Sequence, residues 1–548
     1  MNNDKKQQTG QFATPRLYWL ILLVIIILVA GVRYRLVDVP LERDEGEYAY
    51  AGQLILQGIP PYQHLYNMKL PGIYAAYALI LAVFGQTHWG IHLGLLFINA
   101  ATTVLVFLLA RRVVDPLAGV AAGACFALLS MSQSLQGIFA NSEHFVILPV
   151  VGGLLLLVRA LDNDKKWMLF ISGLLLGTGF LVKQHGIAFV VMGGLYLLIC
   201  QLQKQQKDLK HLTFICLLFA AGVIVPYALT CLIFMLAGIF EKFWFWTVKY
   251  AMAYTSQVPM GEAWEIFKNR TAHACGSAPL VWMLSGIGLT ALAWDRQLRR
   301  RASFIGMFAV FSFLAICPGF YFRPHYFVLT LPVSALLAGA TVSSFVNFLS
   351  KIPSLATKKS STRYALPVLI LIVCLTLSVW HQRIFLFHMS PLQASRTTYG
   401  YNPFPESLEL AKFIRASTRE RDRIAVIGSE PQIFFYSGRR SATGYIYMYP
   451  LMEHHDFALQ MQKEMIREIE SARPEYLLFV NISTSWLGRK DSHKLIFEWL
   501  EKYQKQYYNM IGLTDMLRGS ATLYQWGQDV KWPPRSSSWI AVMKRKQS

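Results

Sequence analysis

Up to about residue 382 the sequence is a succession of apolar runs, each near the length that crosses a bilayer, and beyond that point the runs stop. A helix needs about 20 mostly apolar residues to cross about 30 Å of hydrocarbon. In lipid every backbone polar group must be satisfied inside the segment, so such runs fold as helices. Composition supports this: 54% of the 548 residues are hydrophobic, 15% are charged and mean hydropathy is +0.37, too apolar for an ordinary soluble protein.

The runs place spans near 17–32, 88–110, 117–130, 144–158, 167–182, 186–201, 212–238, 278–294, 302–317, 326–349 and 364–380, about eleven in all. The first is followed by Arg33, Tyr34 and Arg35 instead of a small-residue cleavage site, which marks a retained helix and not a removed signal peptide. With the N-terminus in the cytoplasm, the inner segments collect Lys5, Lys6, Arg16, Arg111, Arg112, Lys165, Lys166, Lys207, Arg299 to Arg301, Lys358 and Lys359. The longer outer loops are poorer in Lys and Arg, so the positive-inside bias selects this orientation.

Much of the net charge of +21 therefore reads as topology. No basic stripe interleaved with aromatics and no nucleic-acid module is present, which excludes nucleic acid as a partner. Six of the seven cysteines sit in or beside apolar runs, Cys275 falls in a polar loop, and no Cys/His ligand spacing occurs.

The expected architecture is a polytopic α-helical membrane protein. Residues 1–16 form a cytoplasmic tail, 17–381 the membrane domain with an outer loop over 33–87, and 382–548 an extracytoplasmic α/β domain. In that last part strand-like runs at 423–428, 475–481 and 521–526 alternate with helical patterns at 457–471 and 495–506. The first of these strands ends at Gly428 without a GxGxxG, so no nucleotide site is implied.

The first outer loop carries Arg43-Asp-Glu-Gly-Glu-Tyr-Ala-Tyr50, an acidic cluster just past a helix end. Ionisable groups beside a membrane cost desolvation energy, which makes the cluster a functional candidate. The alternative is a solvated interfacial loop anchored by Tyr48 and Tyr50, with Glu42 and Glu47 exposed. Further on come His64-Leu-Tyr-Asn-Met-Lys69 and Leu-Pro-Gly72, then an amphipathic stretch over 73–84 expected to lie along the interface.

The acidic cluster, the Lys69-Leu-Pro-Gly-Ile-Tyr74 run after it, and a His325-Tyr-Phe-Val-Leu-Thr-Leu-Pro332 run opening a late helix resemble the GT-C glycosyltransferases of the protein-mannosyltransferase superfamily. That superfamily includes the bacterial lipid A aminoarabinose transferases and the dolichyl-phosphate-mannose protein mannosyltransferases. The resemblance covers the membrane region and extends to the outer C-terminal domain. It implies the GT-C fold and inverting transfer of a sugar from a polyprenyl-phosphate carrier to a lipid, glycan or protein acceptor at the outer face. Such chemistry needs a base for the acceptor hydroxyl and cations for the departing phosphate. Asp44 matches the family's catalytic aspartate and Lys69 its phosphate-binding lysine, with Glu45 and Tyr48 as further donor-binding candidates.

Two departures from the family pattern stand out. Lys69-Leu70-Pro71-Gly72 replaces the frequent Lys-Pro-Pro-Gly, and His64, Asn67 and Met68 replace the acidic residues that often precede the lysine. No cofactor is required by the sequence; a divalent metal on His, Asp or Glu is left open, although no spacing demands one.

At the mouth of the fourth span, Asn141-Ser-Glu-His144 supplies Glu143 as the second acidic candidate, either orienting the acceptor or acting as base; a carboxylate favoured by the helix dipole is the plainer alternative. His144 either caps that helix or binds a substrate hydroxyl. Phe320-Tyr-Phe-Arg-Pro-His-Tyr326 offers Arg323, His325 and Tyr326 to hold the phosphate and sugar, against interfacial snorkelling in an aromatic belt. Lys183 reads as an interfacial residue, and Lys242, Trp244, Trp246, Lys249 and Tyr250 as an interfacial helix guiding the lipid carrier. A glycolipid transporter or flippase is the rival function, but the broken helices and midplane charges it calls for are not evident.

Overall fold

Each apolar run expected to cross a membrane is helical in the computed structural model, which describes residues 14–204, 208–255, 258–352, 360–517 and 521–547. Lys5, Lys6, Lys207, Lys358 and Lys359 lie outside the described residues. Seven helices are long and apolar enough to span: Pro15–Arg35, His88–Val113, Ser142–Asn163, Gln184–Leu202, Leu209–Leu236, Pro324–Leu349 and Arg363–His381. Met260–Gly276 and Pro279–Trp294 pass the same test together but bend by 113°. The chain is a multi-pass membrane protein. A count of eleven needs the shorter helices too, and at a rise of about 1.5 Å per residue a helix of about 15 residues falls short of the hydrocarbon thickness.

The first seven helices are α1 (Pro15–Arg35), α2 (Arg43–Leu56), α3 (Pro71–Phe84), α4 (His88–Val113), α5 (Pro116–Leu129), α6 (Ser142–Asn163) and α7 (Trp167–Val182). α5 is buried along almost its whole length, the signature of a helix central to the bundle. The acidic cluster expected as loop forms the first two turns of α2. Glu42 accepts a hydrogen bond from the Glu45 backbone nitrogen while the Glu45 carboxylate accepts from the Glu42 nitrogen, both at 3.0 Å. This reciprocal cap satisfies two orphan donors and sets the helix start, and Asp44 and Glu45 favour the positive end of its dipole. Glu42 and Glu47, exposed under the solvated-loop reading, are both buried.

The C-terminal region is built on one six-stranded sheet in the order β2-β1-β3-β6-β4-β5. Its strands are β1 (Arg423–Ile427), β2 (Arg440–Ser441), β3 (Tyr476–Asn481), β4 (Tyr508–Asp515), β5 (Leu523–Trp526) and β6 (Trp539–Arg545). β1 pairs in parallel with β2 and β3, whereas β6 runs antiparallel between β3 and β4. Helix Ala458–Ala472 buries Ala458, Met461, Met465 and Ile469, a stripe at helical spacing that faces the core. β4 follows helix Leu495–Tyr507 directly, and β2, β4 and β6 are three strands beyond those expected.

This sheet region sits on α2 and the residues just before it. The Arg43 guanidinium donates to Glu430 at 2.5 Å, to the Tyr449 hydroxyl at 2.9 Å and to Asn402 at 3.1 Å. Leu41 N donates to the Tyr436 hydroxyl, and Ser441 N to the Tyr50 hydroxyl, both at 2.8 Å. A Cβ on Gly46 would sit 2.6 Å from the Gln432 backbone nitrogen, so only glycine allows α2 this close an approach.

Candidate functional site

α2 and the segment leading into α3 meet at a cleft whose walls are Asp44, Asn67, Met68, Lys69, Tyr250, Tyr254, Arg323, His325, Tyr326, Tyr447, Tyr449, Pro450 and Glu453. Four parts of the chain far apart in sequence therefore converge here. Gly72 fixes one of them: a Cβ there would lie 2.5 Å from the Leu181 carbonyl, so the start of α3, and Lys69 just before it, lie directly against the end of α7.

Asp44 is the centre of the cleft. Its Oδ2 lies 3.3 Å from Lys69 Nζ, and its Oδ1 accepts a 2.6 Å hydrogen bond from the Tyr447 hydroxyl. The Asp44 and Lys69 side chains remain 18% and 16% exposed, enough to be reached from the cleft. Burial by itself would raise the Asp44 carboxyl; the Lys69 ammonium, with His325, the Tyr447 hydroxyl and Arg323 behind it, holds it well below the usual carboxylate range, so it is ionised at neutral pH. For Lys69, burial pulls the other way from Asp44, and the carboxylate keeps the ammonium charged.

Tyr48 does not line the cleft but supports it: Lys69 donates to its hydroxyl at 3.1 Å and lies 5.4 Å from its ring centre. Glu47, the residue before Tyr48, accepts from Asn67 at 2.8 Å and from the Tyr74 hydroxyl. Burial pushes the Glu47 carboxyl up to about 8, against the opposing pull of Lys69.

Glu45 is placed away from the cleft. Its Oε1 receives His92 Nε2 at 2.9 Å and the Ala140 backbone nitrogen at 2.5 Å, so it ties α2 to α4 and to the segment before α6. Expected to hold the donor, it instead occupies a fully buried structural position, its carboxylate drawn inward by the first-turn geometry of α2.

Arg323, His325 and Tyr326 all reach the cleft. Arg323 donates to the Tyr254 hydroxyl at 3.3 Å and lies 5.5 Å from the Tyr321 ring centre. His325 Nδ1 is 2.8 Å from Gln136 Oε1. Glu143 lies beneath them, fully buried and ion-paired with Lys183, whose ammonium is 4.4 Å from the Tyr326 ring centre. His144 points its Nδ1 to Asn99 Oδ1 at 3.1 Å and, among the described residues, leaves Nε2 buried without a partner, so it is not a helix cap. Among the described residues no three His, Cys, Asp or Glu side chains converge as a metal site.

Sequence reasoning missed the contribution of the C-terminal region: Tyr447, Tyr449 and Glu453. The alternation of Tyr445, Tyr447 and Tyr449 was a signal, since hydroxyl-bearing rings in a short segment suit a polar cleft. Tyr250, expected to guide lipid, instead donates to Glu453 at 2.6 Å inside the cleft wall.

Residues 69–229 match the family model described as dolichyl-phosphate-mannose-protein mannosyltransferase. Among solved structures, the chain is similar to ArnT from Cupriavidus metallidurans bound to undecaprenyl phosphate, with a TM-score of 0.59 at 14% identity over 97% of this chain and 98% of that one. It is also similar to the archaeal oligosaccharyltransferase AglB from Archaeoglobus fulgidus in complex with an inhibitory peptide and a dolichol-phosphate, with a TM-score of 0.54 at 14% identity over 94% of this chain and 75% of that one. No curated protein matches the sequence. The chain has the GT-C fold.

Proposed function

We propose that this chain is an inverting glycosyltransferase that moves a hexose or pentose from a polyprenyl-phosphate carrier to a lipid, glycan or protein acceptor at the outer face of the cell membrane. One observation carries the reading: an ionised carboxylate, Asp44, and two cations, Lys69 and Arg323, line a single cleft between the outer loop and the C-terminal sheet. The fold shared with a structure bound to undecaprenyl phosphate and another holding a dolichol-phosphate supports the choice of carrier. The concentration of Lys and Arg in the opposite loops supports an outer placement of the cleft and of the C-terminal region.

The chemistry follows from the geometry. The acceptor oxygen attacks the anomeric carbon from the face opposite the lipid phosphate, and its proton passes to Asp44. The bond from the anomeric carbon to the phosphate oxygen breaks with its electron pair on the phosphate, where Lys69 and Arg323 meet the charge. Lys69 has two tasks in this scheme. Paired with Asp44 it keeps the carboxylate ionised but makes it a weak base. A donor phosphate competes for the same ammonium, and as Lys69 turns toward it Asp44 becomes the stronger base with the donor in place.

The test is a transfer assay with the purified full chain and a labelled sugar on undecaprenyl phosphate. The expected result is release of undecaprenyl phosphate together with a product of inverted anomeric configuration. Binding of the intact donor without any cleavage, across lipid, glycan and peptide acceptors, would favour a transporter instead.

A further inference from the structure

Behind one wall of the cleft lies a second concavity that the chemistry above leaves unused. It is a groove of about 920 Å³ between the outer loop and the C-terminal sheet, walled by His64, Tyr66, Lys242, Arg423, Arg467 and Glu468 among others. The wall between the two is thin. Tyr66 faces the groove and Lys69 the cleft, and three residues extend at most about 10 Å. The same holds on the opposite side, where Gly444 borders the groove and Tyr447 the cleft, and Tyr66 N donates to the Gly444 carbonyl at 2.8 Å.

The groove is cationic in a way that packing does not require. Arg423 and Arg440 are Cα partners on the parallel strands β1 and β2, so the two arginines are neighbours at the sheet edge, Arg423 lining the groove and Arg440 next to it. Like charges so placed destabilise a sheet. Among the described residues Arg440 reaches the Gln57 amide oxygen at 3.2 Å, Arg467 a backbone carbonyl of its own helix at 3.4 Å, and Lys242 the Tyr66 hydroxyl at 2.8 Å. Among the described residues no carboxylate forms an ion pair with any of these four cations.

The two carboxylates of the groove are engaged by hydroxyls. Tyr445 donates to Glu464 at 2.8 Å, while Tyr66 at 3.0 Å and Thr443 at 2.6 Å donate to Glu468. Arg423, Arg467 and Lys242 in the lining, with Arg440 beside them, outnumber the two hydroxyl-bonded carboxylates and leave a positive field in a concave surface, the arrangement that gathers an anion. The fork of a guanidinium suits a pair of oxygens on a phosphate or carboxylate.

We infer that this groove binds an anionic group, phosphate or carboxylate, carried by the acceptor about one to two sugar units from the hydroxyl that reacts at Asp44, a reach set by the thin wall. This rests on the glycosyl-transfer reading and specifies its acceptor as an anionic glycan or glycolipid headgroup.

The experiment measures binding to the purified full chain in neutral detergent of three fluorescent probes: trigalacturonate, a phosphorylated maltotriose and plain maltotriose. The comparison is with the double variant Arg423→Gln/Arg467→Gln, which leaves the cleft intact. One or both charged probes should bind, with added salt weakening them, and the double variant should lose at least about tenfold in affinity for them. Whichever charged probe binds identifies the anion. Undecaprenyl phosphate binding should be the same in both proteins. Equal affinity for charged and neutral probes, or an unchanged affinity in the double variant, overturns the inference. A protein that transfers sugar but binds neither charged probe loses the groove alone; one that binds them but never cleaves the donor loses the transferase reading and keeps the groove.

Discussion

Tyr447 donates a 2.6 Å hydrogen bond to Asp44 across 403 positions of sequence, and Lys69 takes the other carboxylate oxygen. The plane of the carboxylate is thus held between a side chain of the C-terminal region and one of the segment leading into α3. Removing the hydroxyl in Tyr447→Phe takes away a bond that favours the charged form, so the Asp44 pKa rises. A base with a raised pKa protonates earlier on acidification, and the acid limb of the kcat/KM profile should move upward. The rate at neutral pH should fall by about tenfold, less than the roughly 10²–10⁴-fold that loss of the base itself would cost, because Asp44 and its Lys69 contact stay in place. A pH profile superimposable on that of the wild type would reduce Tyr447 to a packing residue.

The pair that docks the C-terminal region is Arg43 with Glu430, whose side chains are 9% and 0% exposed. Glu430→Ala strips the guanidinium of its anion while burying it still, a loss of about 3–5 kcal/mol in comparable pairs. We expect a clear drop in thermal midpoint in detergent and faster cleavage by added protease within the C-terminal region. Glu430→Gln, which keeps one acceptor for Arg43, should be milder. An unaltered midpoint in the Ala variant would mean that the Gly46 contact and the Tyr50 and Tyr436 hydrogen bonds suffice to hold the two parts together.

Glu47 sets a pH dependence of stability. Its carboxyl, pushed up to about 8 by burial, binds a proton in the folded protein that the unfolded chain, with an ordinary value near 4.5, has already released over the range between. The folded state therefore holds more protons than the unfolded state in that window, and its stability falls as pH rises from about 4.5 to about 8, then levels off. Glu47→Gln cannot titrate. Melting curves across pH 5 to 8.5 should show the difference between wild type and variant shrinking or reversing as pH rises, whereas parallel curves would show that Asn67 and Tyr74 keep Glu47 ionised throughout.

The membrane helices were legible because lipid imposes one rule on every segment, and helix Ala458–Ala472 because its stripe of Ala458, Met461, Met465 and Ile469 repeats at helical spacing. α2 was not, since its cap is a reciprocal pair of glutamates instead of the Ser, Thr, Asp or Asn that usually marks a helix start, and an acidic cluster capped in this way resembles a loop. β4 was hidden by running straight on from a helix at Tyr507 and Tyr508 with no Gly or Pro between them. In the cleft, Asp44, Lys69, Arg323 and His325 stood out through local motifs, and the fold gathers them in one place. Glu45 shares the motif of Asp44 but turns inward to His92, because neighbouring helix residues point about 100° apart. Tyr447 and Glu453 depend on contacts made hundreds of residues away, and nothing in their own segment specifies the partner.

Lys69 and Arg323 are expected to hold the carrier phosphate from two sides of the cleft. Lys69→Ala and Arg323→Ala should each weaken undecaprenyl phosphate binding by about tenfold to a hundredfold, the range for a lost charge-assisted hydrogen bond. The Lys69 variant should also raise the Asp44 pKa, since the ammonium is the main force holding it down. Its acid limb therefore shifts upward while that of Arg323→Ala moves less. Titration of the purified variants with the lipid phosphate reads the first effect directly. Unchanged affinity in both would return these side chains to interfacial anchoring.

Two carboxylates compete for the role of base, and their surroundings separate them. Asp44 faces the cleft at 18% exposure with one oxygen shared by a displaceable ammonium, whereas Glu143 is fully buried, closed off by Lys183 and, at 3.3 Å, by the Ser142 hydroxyl. Asp44→Asn keeps the size and the bond from Tyr447 but cannot take a proton, so sugar transfer should fall by roughly 10²–10⁴-fold while donor affinity holds. Glu143→Gln leaves Lys183 buried without its anion, and its first effect should be on yield and thermal midpoint, with kcat per folded molecule reduced far less. Measuring kcat against the fraction of correctly folded protein in both variants decides between them. Should the Glu143 variant fold normally and lose transfer while Asp44→Asn remains active, the proton goes to Glu143, and Asp44 serves only to keep Lys69 in place for the phosphate.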